Sequence, residues 1–355
     1  MNEHRRQIRI AWSTAVTALV ALIGALAADA GAAVLPGHGV AVVGALYLVV
    51  AGLSAAACVL SARQALAGAG WPYSPVRPST ILIGLVTVGL LAIGLAARSG
   101  IVFGLLGLAI IFVPLERLFA LHRQRVFRAG WATDVVHLVV NNVLSLGVAL
   151  VGIVTVGTVL RLLVPSTARS WVGGLPWGAQ LAIALVITEV CQYWAHRAAH
   201  QVPLLWRFHK VHHSIREMDS LAAGHLHPLD QAFERTVVVA PLFALGFSRA
   251  TFGAYLVLTT FQAIFIHANV RLRFGPLRWL IATPEFHHWH HADDPSAYDR
   301  NFAGQLPVLD WVFGTLHLPA GQRPAGYGIA ERQPAGYVRQ LVWPFRATPS
   351  RSIAF

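Results

Sequence analysis

Residues 196–213, His-Arg-Ala-Ala-His-Gln-Val-Pro-Leu-Leu-Trp-Arg-Phe-His-Lys-Val-His-His, contain five of the 17 histidines of the chain. A second stretch, Phe-His-His-Trp-His-His at 286–291, adds four more. Side chains three or four positions apart share one face of a helix. The histidines within each stretch can therefore point in one direction, as a metal site requires. Neutral imidazole suits iron, zinc, copper and nickel, so the ligand type does not identify the ion.

The composition is that of an integral membrane protein. Of the 355 residues, 56% are hydrophobic and only 12% are charged, which is about half the charged fraction of a soluble domain. The formal net charge of +12 does not indicate nucleic acid, because the arginines lie at the ends of apolar segments, as the positive-inside rule describes. The two cysteines, Cys58 and Cys191, lie in apolar stretches and offer neither a disulfide framework nor a cysteine-rich metal site.

Several segments reach the roughly 20 apolar residues that cross the hydrocarbon core. The predicted spans are 10–34, 39–62, 79–97, 100–118, 135–163 and 176–195. A further apolar region, 236–266, is interrupted by Ser248-Arg249, and could be a hairpin, a re-entrant pair or one long tilted helix. The arginine-rich loops predict a cytoplasmic N-terminus and a chain that returns to the cytoplasm at His196.

The expected fold is an all-α integral membrane protein. It would be a multi-span helical bundle with a cytoplasmic, histidine-rich helical cap formed by about 196–235 and 267–355. The metal site would then lie on the cytoplasmic side of the membrane.

Ten histidines are candidate metal ligands, enough for two five-coordinate ions with open positions. They are His196, His200, His209, His212, His213, His227, His267, His287, His290 and His291. His227 and His267 stand alone, and a single histidine is more often structural than metal-binding. His225 and His288 each adjoin a candidate and could orient a ligand or replace one. His137, with Asn141 and Asn142, could line a substrate cavity or serve only in packing.

Taken together, these motifs resemble the fatty acid hydroxylase/sterol desaturase superfamily, over about residues 114–345. The motifs are Glu189, Tyr193 and His196-Arg197-x-x-His200, then Leu205-Trp206-x-x-His209-x-x-His212-His213, then His227-Pro228, then Thr283-Pro284-x-x-His287-x-x-His290-His291. Asn301-Phe302 and the Asp-Trp-Val-Phe-Gly-Thr at 310–315 resemble the closing motif of the family. We therefore expect residues 1–100 to form additional N-terminal transmembrane spans and 101–355 to form the catalytic domain, in a bacterial inner membrane.

The chain departs from the family pattern at three positions. Glu189 stands where Asp is usual and Asp230 where Glu is usual, so both acidic charges are kept. His225 stands where Arg is usual, which leaves open whether His225 or His227 reaches the metal.

The resemblance implies a membrane di-iron oxygenase that hydroxylates or desaturates a lipid, such as an acyl chain, a sterol or a carotenoid. Two iron ions would be bound, and zinc could replace them in purified protein. Electrons would come from an external donor such as a ferredoxin or a reductase, because the sequence shows no flavin, haem or cysteine-cluster motif. No catalytic residue beyond the metal ligands is expected.

Polar residues near the ligands are expected to bind their second ring nitrogen and fix their orientation. The candidates are Glu189, His225, Asp230, Asn269, Glu285 and His288. Helix caps and surface ion pairs are the alternative roles for the acidic residues among them.

Two other functions remain open at this level. A divalent-metal transporter would place its ligands within the spans, near the bilayer midplane, whereas these histidines lie at span ends and in the cap. A non-redox zinc-binding membrane protein could use the same scaffold.

Overall fold

The computed structural model describes residues 111–113, 115–125 and 127–346, apart from the side chain of Asn142. The chain divides into two compact units, Met1–Leu118 and Phe119–Phe355, and nearly all described residues belong to the second. The predicted spans 10–34, 39–62 and 79–97, most of 100–118, and the proposed N-terminal segment 1–100 lie outside the described residues.

The described part of the second unit is all-helical, as expected, and contains no β-strand. Its α-helices are α1 Trp131–Leu163, α2 Ser166–Gly174, α3 Trp177–Gln201, α4 Pro203–His213, α5 Pro228–Leu245, α6 Arg249–His267, α7 Pro284–His290, α8 Val308–Val312 and α9 Tyr337–Val342. Short 3-10 helices are present at Ser220–Gly224, Gly275–Trp279, Pro295–Ala297 and Trp343–Arg346.

Helices α1 and α6 are the two in the described part that are long and apolar enough to cross a membrane. Helix α1 corresponds to the predicted span 135–163 and leaves large apolar side chains uncovered along its length. Val143, Val151 and Leu162 are 69%, 68% and 81% exposed. Lipid is a favourable environment for such a surface, because exposing it to water would forfeit the free energy gained by removing apolar area from water.

The apolar region 236–266 is not one helix. Helix α5 ends at Leu245 and is followed by Gly246, whose φ of 76° lies in the left-handed region that glycine adopts without strain. Helix α6 begins after Ser248, whose hydroxyl accepts a hydrogen bond from the Thr251 backbone N–H at 3.2 Å. The structure therefore excludes the single long helix and gives two helices joined by a tight turn.

Helix α5 packs against both α1 and α3, and this packing connects the apolar helices to the histidine-rich segments. On α1, Gly152 lies so close to α5 that a Cβ would overlap the Thr236 side chain. Small residues permit this kind of close helix approach. Ala184 of α3, Leu242 of α5 and Tyr255 of α6 belong to one buried apolar cluster. The C-terminal ends of α3 and α6 then reach the histidine-rich segments.

Candidate metal centre

The structure brings nine of the ten candidate histidines together in two groups. Within each group, the candidate ligand atoms all lie within 4.8 Å of one another. The five-histidine group consists of His196, His200, His209, His213 and His290, and the four-histidine group consists of His212, His267, His287 and His291. All nine side chains are buried.

Four helices supply these side chains, and their spacing explains the division. The last turns of α3 direct His196 and His200 to the five-histidine group, and α6 ends at His267 in the four-histidine group. Helices α4 and α7, with the residue that follows α7, serve both groups, because adjacent residues on a helix point in different directions. His212 and His213 therefore enter different groups, as do His290 and His291.

The two groups adjoin each other. The rings of His213 and His291, one from each group, stack with centroids 4.4 Å apart and an interplanar angle of 20°. The ring of His212 lies 4.6 Å from that of His291. The two ion positions would therefore share one buried region.

The inner nitrogens of the rings face one another without protein donors between them. In the four-histidine group, the Nε2 of His267 lies 3.2 Å from the Nε2 of His212 and 3.0 Å from that of His287. Among the described residues, the Nε2 atoms of His200 and His290 have no hydrogen-bond partner. Buried nitrogens that converge without partners fit a bound cation, since metal ligation satisfies their lone pairs.

The outer nitrogens of six of the nine rings lie against oxygen atoms. Backbone carbonyls accept from the Nδ1 of His196 (Phe302, 2.7 Å), His290 (Arg300, 2.8 Å), His267 (Ala263, 2.6 Å) and His212 (His225, 3.2 Å). Carboxylates face His209 (Asp230, 3.0 Å) and His200 (Asp299, 3.4 Å). A proton held at Nδ1 leaves the Nε2 lone pair available for metal and fixes the plane of the ring.

Burial keeps the histidine rings of α4 and α7 neutral. Loss of solvent lowers the pKa of His290 to about 3. The pKa of His212 and of His213 lies well below its ordinary value, first because of burial and then because of the neighbouring imidazoles. Neutral imidazole is the form that ligates metal, so protons compete little for these nitrogens near neutral pH.

His227, the tenth predicted ligand, is in neither group. Pro228 begins α5 and makes His227 the N-cap residue, where its Nδ1 accepts from the Leu229 backbone N–H at 3.2 Å. Its Nε2 lies 3.0 Å from the Leu341 carbonyl. Both ring nitrogens are therefore engaged within the protein. The His225 ring, the alternative, is likewise held elsewhere, by Asp134 and Gln333.

Three of the six predicted orienting residues contact a ligand histidine. The Asp230 carboxylate binds the His209 ring. His225 contributes its backbone carbonyl to His212 and not its ring. The His288 ring lies 3.3 Å from the backbone carbonyl of His267 and 2.8 Å from the Tyr327 hydroxyl.

The other three make hydrogen bonds elsewhere. Glu189 accepts from the backbone N–H groups of Gln305 and Leu306 at 2.8 and 3.0 Å, so it holds the turn at 304–306. The Asn269 amide exchanges two hydrogen bonds with the His122 backbone. Glu285 pairs with Arg278 at 3.3 Å.

The loop at 299–302 supplies three acceptors to the five-histidine group, and no sequence pattern identified them directly. Asp310 holds this loop by accepting from the backbone N–H groups of Phe302 and Ala303, both at 2.8 Å. Asn301, at φ 59°, donates from its amide to the Phe286 carbonyl. The closing motif at 301–302 and 310–315 thus builds the support of His196 and His290, and these motif residues were the available clue.

The fold and the histidine groups define a helical protein with a candidate metal centre at the ends of apolar helices. Residues 181–315 match the family model described as fatty acid hydroxylase. This stretch contains all nine grouped histidines. The family match therefore covers the stretch that holds the histidine groups, which is less than half of the chain.

The chain is also similar to several known proteins, of whose length it spans less than two thirds. The chain is 33% identical over 190 residues to ornithine lipid hydroxylase OlsE of Rhizobium tropici, covering 54% of this chain and 57% of that protein. It is 32% identical over 144 residues to alkylglycerol monooxygenase of Danio rerio, covering 40% of this chain and 32% of that protein. Very-long-chain aldehyde decarbonylase GL1-6 of Oryza sativa subsp. indica is 32% identical over 139 residues, or 36% and 21% of the two chains. No solved structure matches the chain.

Proposed function

We propose that this protein is a membrane di-iron oxygenase that hydroxylates a lipid, with desaturation as the alternative outcome of the same chemistry. The observation that carries the proposal is the pair of adjoining, buried imidazole groups whose Nε2 atoms face inward at the ends of apolar helices. The names of two relatives, a lipid hydroxylase and a monooxygenase, favour hydroxylation.

In this proposal each histidine group holds one iron. His196, His200, His209, His213 and His290 would bind one ion, and His212, His267, His287 and His291 would bind the other. Four ligands on the second ion leave more room for an exogenous molecule than five on the first. Zinc could occupy the same nitrogens in purified protein, because imidazole suits both metals.

When bound, the two irons would supply the reduction of O2 that cleaving an unactivated C–H bond requires. Hydroxylation consumes one C–H bond, one O2, two electrons and two protons, and yields one C–OH group and one water. The two electrons would come from an external donor, such as a ferredoxin or a reductase.

The protein's own residues would keep the ligands neutral and correctly turned. The oxygen acceptors at Nδ1 hold the rings so that Nε2 faces the ions. Burial removes bulk water from the nine imidazoles. Such exclusion protects a reactive oxidant from side reactions.

We further propose that the chain is a multi-span bundle with the metal centre in a cytoplasmic cap of a bacterial inner membrane. The apolar helices α1 and α6 support the membrane part. His267 is the last residue of α6, so the metal centre would lie at the end of a span. A lipid could then reach it from the bilayer, and electrons from the aqueous side.

Oxygen-18 labelling tests the function. Membranes that contain the protein are incubated with 18O2, an electron donor system and the lipids of a strain that lacks the gene, and the lipids are analysed by mass spectrometry. We expect a lipid heavier by one oxygen-18 atom. A lipid short of two hydrogens would instead indicate desaturation.

The matched control is His212→Ala, which should insert in the membrane but form no product. Equal product from His212→Ala and the natural chain would contradict the assignment. Uptake of a divalent metal by proteoliposomes without lipid oxidation would favour transport, and full activity with zinc alone would favour the non-redox alternative.

A further inference from the structure

A buried polar network connects the start of α1 to His212. The His225 ring donates from Nδ1 to Asp134 Oδ1 at 2.5 Å, and its Nε2 accepts from the Gln333 amide at 2.6 Å. The backbone carbonyl of the same His225 accepts from His212 Nδ1 at 3.2 Å. The ring bonds therefore fix the residue whose carbonyl orients a candidate ligand.

We propose that Asp134 and His225 form a positioning pair for the four-histidine group. By holding the His225 peptide, they would set the plane of the His212 ring and so the affinity of one of the two ions. This proposal rests on the proposed occupancy of the two groups by metal, and it adds residues outside the histidine motifs to the machinery of one site.

The surroundings of the pair favour positioning over general packing. Asp134 and His225 are 3% and 2% exposed, so water does not compete for their hydrogen bond. The Arg128 guanidinium binds Asp134 at 2.5 Å and Asp219 at 2.6 Å. Asp219 in turn caps the 3-10 helix Ser220–Gly224, which leads directly to His225. The carboxylate that binds the ring is therefore fixed on its other side as well.

A neighbouring ring and an amide also restrict the position of His225. The His137 ring lies against the His225 ring, with centroids 4.2 Å apart. Asn141 donates to the Leu226 carbonyl and, at 2.9 Å, to the Nδ1 of His137. His137, which the sequence left between a cavity role and packing, thus supports the 225–226 backbone. A side chain that is held by a carboxylate, an amide and a neighbouring ring has little rotational freedom.

The effect should be confined to one group. The His225 carbonyl contacts His212, which belongs to the four-histidine group. The acceptors of the five-histidine group are Asp230, Asp299, and the carbonyls of Arg300 and Phe302. Loss of the pair should therefore weaken the binding of the ion in the four-histidine group and leave the binding of the other ion unchanged.

The test is an anaerobic iron titration of the purified full chain in detergent. Bound iron is counted by elemental analysis, and Mössbauer spectra of 57Fe distinguish the two environments. The principal variant is His225→Phe, which retains a ring to stack on His137 but loses both hydrogen bonds. We expect one iron to bind as in the natural chain and the other to bind about 10–100-fold more weakly. Gln333→Leu, in the loop at 333, removes one hydrogen bond and should give a smaller change in the same direction.

The control is Gln180→Leu, which removes buried hydrogen bonds to Ser248 and Thr251 at the ends of α3 and α6 that lie away from the histidines. This variant should lose stability but keep both irons. Unchanged titration of both ions in His225→Phe and Gln333→Leu, or equal weakening of both ions, overturns the proposal. These readouts need neither lipid nor O2, so selective loss of one ion would support the pair even if no lipid were oxidised.

Discussion

At the scale of single residues, six of the nine grouped histidines have an outer nitrogen that lies against an oxygen atom. The outer nitrogen of His209 meets the Asp230 carboxylate, which is itself 5% exposed. A carboxylate at this position increases the basicity of the ring and fixes its direction. The affinity for metal therefore depends on residues that would not touch the ion.

Asp230→Asn should lower the affinity of the five-histidine group for its ion about 10–100-fold. The amide keeps the volume of the side chain but removes the charge that stabilises the Nδ1 proton of His209. Anaerobic metal titration of the purified protein measures the change. Asp294→Asn is the control, because Asp294 caps the helix Pro295–Ala297 and contacts Ser296 rather than a ligand. Similar losses in both variants would contradict this role of Asp230.

Asp310→Leu should lower the free energy of unfolding and release metal from the five-histidine group. The leucine leaves the backbone N–H groups of Phe302 and Ala303 buried without acceptors. Each unsatisfied donor costs roughly 1–3 kcal/mol. Thermal unfolding and metal content measure the two effects. Loss of stability with full metal content would show that the loop at 299–302 does not support His196 and His290.

At the scale of elements, helix α4 is the part of the domain on which both groups depend. It carries His209, His212 and His213 on one side, and Lys210 on another. Lys210, the only lysine in the chain, is 3% exposed; it pairs with Glu331 at 2.6 Å and lies 4.3 Å from the Trp343 ring. The C-terminal segment thus fastens α4 from the side opposite the metal centre.

Lys210→Met should lower the free energy of unfolding by about 2 kcal/mol, since it removes one partner of a largely buried ion pair and a cation–π contact. The methionine retains most of the apolar stem, so packing is kept. Chemical unfolding in detergent measures the loss. In a double-mutant cycle with Glu331→Gln, the two effects should be less than additive. Full additivity would indicate that the pair contributes nothing.

Gly152→Leu should destabilise the contact between α1 and α5 by about 1–3 kcal/mol, because the added side chain meets Thr236. Gly147→Leu is a matched control on the same helix, because a Cβ at Gly147 has no heavy atom within 4 Å. The thermal stability of the two variants in detergent is compared. Equal stability would mean that α1 and α5 can separate without cost.

At the scale of the whole molecule, the buried histidines make the metal-free protein sensitive to acid. The pKa of His288 and of His290 is lowered to about 3 in the folded chain, mainly by burial. In the unfolded chain these rings have a pKa near 6.5. The unfolded state therefore binds more protons between about pH 3 and 6.5, and folding stability falls as the pH is lowered through this range.

Each such histidine should contribute a slope of up to about 1.4 kcal/mol per pH unit. The free energy of unfolding of the metal-free protein, measured from pH 7.5 to 4.5, should fall steeply below about pH 6.5. His288→Phe should reduce the slope by about one proton, because it removes one buried titrating ring. A flat profile would contradict the neutral state of these rings.

The sequence predicted the parts of the metal centre that depend on helical spacing. Histidines at i, i+3 and i+4 in α3, α4 and α7 converge because the helix fixes their directions. It could not indicate which carbonyls support them, since every residue has a carbonyl and only the folded loop at 299–302 selects Arg300 and Phe302. The proline after His227 places this residue at a helix start, where its ring caps the helix and lies in neither histidine group.

The apolar region 236–266 shows the same limit at the level of helices. Gly246 and Ser248 are a typical helix end and helix start, and they were visible in the sequence. Long-range packing then fixes the turn between them. A Cβ at Gly246 would lie 3.7 Å from the Arg169 side chain, and the Ser248 backbone N–H donates to Gln180. Local composition alone left three arrangements open.

The alternation of His212 with His213, and of His290 with His291, makes α4 and α7 common supports of both groups. Rotation of one imidazole side chain would change the ligand arrangement of one ion only. A rigid displacement of either helix would move ligands of both ions at once. The distance between two bound ions would therefore depend on the rigidity of the backbone of α4 and α7. A lipid or an electron donor that displaced α4 on binding would change the ligand geometry of both ions together.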